Sequence, residues 1–159
     1  MSKPETLASK TEPPYVLRRW KLLLLCIYFT ALVYVTLFAW NYGSSYGPMA
    51  PGDRNYNLTL FESIHNIAYY SSSWVTPLRI LGGNVIMFLP FGIILLSLLK
   101  SGWKNIFIVI GCSFTLSVGI ETCQFLFTHR VANVDDVMLN TLGGLIGAMV
   151  TSISRYIKK

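Results

Sequence analysis

Four long apolar runs, separated by short polar stretches, account for most of the chain. The first, from Leu22 to Trp40, has nineteen residues without a charge and is bracketed by Trp20 and Trp40. As a helix it is about long enough to cross a ~30 Å hydrocarbon layer, with aromatic rings at both interfaces. The second runs from about Leu78 to Leu99, with Asn84 in its interior and Pro90 expected to kink it near Ile86. The third spans about 105–127 and the fourth about 134–153. This pattern predicts an all-α integral membrane protein, a bundle of four transmembrane helices forming one domain over 18–159. Residues 1–17 are polar, contain Pro4, Pro13 and Pro14, and read as a disordered cytoplasmic tail. Between the first two runs lies a loop of residues 41–77 rich in turn residues. Within it Thr59-Leu-Phe-Glu62 has the form of a capping box, and Phe61, Ile64 and Ile67 recur at helical spacing. A short extracytoplasmic interfacial helix from about Leu60 to Tyr70 is therefore expected.

Composition agrees with the bilayer reading: the 159 residues are 53% hydrophobic and only 13% charged, with a mean hydropathy of +0.51. The net charge of +6 does not indicate nucleic acid, because no basic helix or aromatic-basic interleaving accompanies it. Its cations flank the apolar runs instead. Ten Lys and Arg residues fall on the side of the two termini and three, Arg54, Arg79 and Arg130, on the other. That bias predicts a multi-pass protein of the cell membrane with both termini in the cytoplasm. Cys26, Cys112 and Cys123 lie in apolar runs without metal or disulfide spacing and read as packing residues. His65 and His129 have no His-x-x-x-His context, so neither a metal nor another cofactor is expected.

The candidate chemistry lies where the third run ends and the fourth begins. Span two enters from the outer side, which puts Asn84 ~9 Å deep, and Glu121 lies at a similar depth in span three. Gln124 is one turn from Glu121. Asp135 and Asp136 open span four, and Asn140 follows one turn deeper. Three spans thus place amides or carboxylates at one level, with Arg130 in the adjoining loop as a partner for the acids or for a phosphate. Ionisable groups in a membrane interior are functional-site candidates. Each has a plainer reading as well. The aspartates suit a helix N-terminus, Asn84 and Asn140 suit interhelical hydrogen bonds, and Gly143, Gly144 and Gly147 suit close helix packing.

Taken in order, Asn84-x-x-x-Phe88-x-Pro90-x-Gly92, Glu121-x-x-Gln124, Arg130 and Asp135-Asp136-x-x-x-Asn140-Thr-x-Gly143-Gly144-x-x-Gly147 resemble the VanZ-like family. Asn57-Leu58 ahead of Phe61 is similar too, although Leu60 stands where the family pattern suggests a proline. The resemblance covers about residues 22–153 and implies a small bacterial membrane protein related to low-level resistance against teicoplanin-type glycopeptides. Three functions follow as expectations. The first is an envelope protein whose outward-facing polar site binds a lipid-linked or lipid-anchored ligand, such as a cell-wall precursor or a lipoglycopeptide. The second is a membrane-embedded enzyme acting on a lipid head group with Glu121 as acid or base. In the third, a structural or transport protein, the polar layer only joins helices. Membrane lipids are the expected partners, with a homo-oligomer as a further arrangement.

Overall fold

The computed structural model describes residues 14–39, 56–100, 102–128 and 130–157. Helix α1 (Pro14–Tyr34) continues into a short π-helical segment, Val35–Ala39. A two-residue strand β1 (Tyr56–Asn57), the short helix α2 (Glu62–Tyr70), and the long helices α3 (Val75–Leu98) and α4 (Trp103–Phe127) follow. Strand β2 (Ala132–Asn133) leads directly into α5 (Val134–Ile157). Helices α1, α3, α4 and α5 are each long and apolar enough to span a membrane, and the chain is a multi-pass membrane protein. Helix α1 starts at Pro14, inside the segment read as tail; residues 1–13 lie outside the described part. Helix α3 starts at Val75, three residues before the apolar run, so Asn84 is nine residues, or ~14 Å, along it. Pro90 lies inside α3 without ending it.

The bundle is centred on α3 and α5, which make the most extensive interhelical contact. Small residues are what allow it. A Cβ on Gly143 would overlap the carbonyl of Val85, and one on Gly147 the carbonyl of Leu89. On the opposing surface Gly92 faces the backbone of Gly144 and Ala148, while Gly144 also meets Ser113 of α4. In lipid such contact must come from packing and backbone approach, since hydrocarbon tails are as apolar as leucine. Phe88 and Phe91 of α3, edge to face at 6.1 Å, join Leu32 and Ile120 in one cluster. Leu96, Val109 and Ala148 form a second one nearer the other end of the bundle. Cys26 and Cys112 are exposed on the bundle surface and do not pack, because their helices turn other faces inward.

Helix ends carry backbone groups that hydrocarbon cannot satisfy. At the C-terminus of α3, Arg155 donates to the carbonyls of Leu96 (2.8 Å) and Leu99 (3.1 Å), and Lys21 donates to that of Ser97 (3.1 Å). Both cations also suit the negative end of the helix dipole. At the opposite end of the bundle, β1 and β2 pair in parallel, Tyr56 with Ala132 and Asn57 with Asn133. This pairing ties the α1–α3 connection to the α4–α5 loop.

Helix α2 does not begin as a capping box. Phe61 holds the N-cap position in the left-handed region (φ 67°), and no side chain of its own segment caps the helix. Asp135 from α5 does so instead. Its Oδ1 accepts from Phe61 N–H at 2.6 Å, and its Oδ2 from the N–H groups of Ser63 (3.0 Å) and Ile64 (3.2 Å). Thr59, the expected cap, donates its N–H to Asn57 Oδ1 at 2.8 Å, in an Asx turn.

Candidate functional site

At the end of the bundle that carries α2, a cavity of about 720 Å³ opens among the π-helical segment, α2, α3, α4, α5 and the α4–α5 loop. That is within the usual range for small-molecule sites. Of the residues singled out above, Asn84, Glu121, Gln124, Arg130, Asp136 and Asn140 all line it. Asp135 does not; fully buried, it is occupied by the start of α2. The two adjacent aspartates therefore have separate roles, one holding α2 and the other facing the cavity.

Asn133 organises the acids. Its N–H donates to Glu121 Oε2 at 2.9 Å, its Oδ1 accepts from Asp135 N–H at 3.1 Å, and its Nδ2 reaches Asp136 Oδ1 at 3.5 Å. Asn84 donates to the same oxygen of Asp136 at 2.8 Å, joining α3 to α5. Among the described residues no hydrogen bond reaches Glu121 Oε1 or Asp136 Oδ2.

The arginine is anchored from an unexpected side. Arg130 Nη1 donates to the carbonyl of Thr36 at 3.0 Å, and Gln124 Nε2 donates to the same oxygen, also at 3.0 Å. Thr36 lies in the π-helical segment, where the regular α-helical bonding pattern is interrupted and side chains from elsewhere can engage the backbone. This hydrogen bond of the Arg130 guanidinium thus goes to the main chain rather than to Glu121 or Asp136. Asn140 donates to Ser117 at 2.8 Å, joining α5 to α4. Among the described residues, the acceptor oxygens Gln124 Oε1 and Asn140 Oδ1 are buried without a partner, which is uncommon for polar groups in folded proteins.

Sequence reasoning passed over Arg79, Thr36, Asn133 and Ser117. Arg79 entered only as a flanking cation, yet it is exposed on α3 and lines the cavity. Asn133 had a legible signal, a residue type favoured at N-caps immediately before the fourth run. Thr36 had none, because its contribution is a main-chain oxygen. Among the described residues no group of three His, Cys, Asp or Glu could hold a metal. His65 is exposed and stacked on Tyr69 at 5.7 Å, and His129 lies outside the described residues.

The family model described as VanZ/LLP1 matches residues 25–155, which takes in α2, α3, α4, the C-terminal half of α1, most of α5, and every residue of the polar site. The chain belongs to the VanZ/LLP1 family. Protein VanZ of Enterococcus faecium is 30% identical over 133 residues, covering 82% of this chain and 73% of that relative. No solved structure matches the chain. In this chain, Asn84, Glu121, Gln124, Arg130, Asp136 and Asn140 of those ordered motifs share one cavity, and the glycine motif lies at the α3–α5 contact.

Proposed function

We propose that this VanZ-like protein acts in the bacterial cell envelope, lowering susceptibility to teicoplanin-type glycopeptides by binding a lipid-linked or lipid-anchored ligand in its polar cavity. The observation that carries this reading is the composition of the cavity wall. Arg79, Arg130, Glu121 and Asp136 share it with Ile86, which is 68% exposed on the outer face of α3. A polar site bordered by a lipid-facing residue suits a ligand with a head group and a hydrocarbon anchor. The Lys and Arg bias supports cytoplasmic termini, which turns the cavity toward the outer surface.

One observation favours catalysis as a second reading: among the described residues Glu121 keeps one carboxylate oxygen without a hydrogen-bond partner, as a general base requires. Susceptibility to teicoplanin in a sensitive Gram-positive host distinguishes the two, with membrane level checked for each variant. Wild type is expected to lower susceptibility and Arg130→Ala to abolish the effect. Glu121→Gln keeps the shape of the site, so it retains part of the effect under binding and loses all of it under acid–base catalysis. Unchanged susceptibility with well-expressed wild type refutes the resistance role.

A further inference from the structure

The cavity is built for more than an anion. Two arginines line it, and among the described residues only Arg130 is fastened by a hydrogen bond, to Thr36. Two carboxylates line it as well, each holding one oxygen on Asn133 or Asn84 and leaving the other without a hydrogen bond among the described residues. A purely anionic ligand would satisfy the arginines and bring negative charge beside the carboxyl groups of Glu121 and Asp136. A purely cationic ligand would do the reverse.

We infer that the cavity takes a lipid head group bearing both a phosphate and a primary ammonium, the phosphate on Arg79 and Arg130 and the ammonium between Glu121 and Asp136. The inference rests on the lipid-ligand reading above and narrows it. Guanidinium groups suit phosphate oxygens, and a primary ammonium has three N–H donors for the free carboxylate oxygens. A quaternary ammonium has the charge without the donors and would leave those oxygens unsatisfied. The volume fits a phosphoethanolamine head group with its glycerol, and Ile86 marks the side on which acyl chains meet the bilayer.

The test is native mass spectrometry of the purified full-length protein in detergent. Dihexanoyl lipids with phosphoethanolamine, phosphoglycerol and phosphocholine head groups are compared, with farnesyl diphosphate standing for a prenyl-linked precursor. The phosphoethanolamine lipid is expected to bind about tenfold more tightly than the phosphoglycerol or phosphocholine lipids. Arg79→Ala, on an exposed wall position, should weaken the phosphoethanolamine and phosphoglycerol lipids alike. Glu121→Gln/Asp136→Asn should remove the preference between them. Equal or tighter binding of the phosphoglycerol lipid or of farnesyl diphosphate by wild type overturns the zwitterion assignment and leaves the lipid-ligand reading in place. Absence of binding by all four overturns both. Wild-type selectivity decides the matter even if the double variant does not fold.

Discussion

Asp135 provides a sharp test of how the α2 end of the bundle is held. Replacing it with alanine removes three hydrogen bonds to backbone N–H groups, at 2.6, 3.0 and 3.2 Å, all made by one buried carboxylate. Hydrogen bonds to a charged acceptor contribute about 1.5–3 kcal/mol each, and loss of an N-cap alone costs about 0.5–2 kcal/mol. The three bonds are not independent, and α2 has no buried residue, so water can reach its freed donors. A net local loss of about 3 kcal/mol is a fair expectation. A nine-residue helix has little stability by itself, so this loss should undock α2 rather than merely loosen it. Hydrogen exchange in nanodiscs reads this directly. Amides of 61–64 in Asp135→Ala should exchange on the order of 10²-fold faster, while those of α3 and α5 keep their protection. Asp135→Asn has one acceptor oxygen in place of two and should fall between. Unchanged exchange across 61–64 refutes the capping role. A uniform loss across α3 and α5 would instead mean that Asp135 supports the whole bundle.

Two further outcomes follow from the same geometry. Gly147→Ala would drive a Cβ into the carbonyl of Leu89 and should cost about 1–3 kcal/mol, seen as a lower melting temperature in detergent; Gly119→Ala, with nothing within 4 Å, should be neutral or slightly stabilising. Phe61→Gly should relieve about 1 kcal/mol of left-handed backbone strain and slow exchange across 61–64, provided the exposed ring adds nothing to docking; faster exchange would show that it does.

How much of this was legible in the sequence depends on whether a residue acts through its side chain or its backbone. The four spans are visible because bilayer thickness demands long apolar runs, and their helices agree with those runs except at ends where α1 and α3 begin earlier and α5 continues to Ile157. Asn84, Glu121, Gln124, Arg130, Asp136 and Asn140 stand out as polar groups at one level, and the fold brings all six to one cavity. Asp135 was inseparable from Asp136 in sequence, because the division between them depends on a loop seventy-odd residues upstream. The Thr59–Glu62 pattern misled for the same reason: a local cap lost to a buried carboxylate from another helix. Thr36 stayed hidden because a carbonyl oxygen has no letter in the sequence.

The glycine seam also constrains how the protein is made. It joins α3 to α5, and these helices are separated in synthesis by the whole of α4. When α3 leaves the translocon, its groove around Gly92 has no partner, and none exists until α5 has entered the bilayer. Only then can Asn84 meet Asp136 and α2 receive its cap. A released chain cut before Asn133 should therefore hold α1, α3 and α4 without the cavity between them. Assembly of the polar site is thus deferred in biogenesis until α5 has inserted.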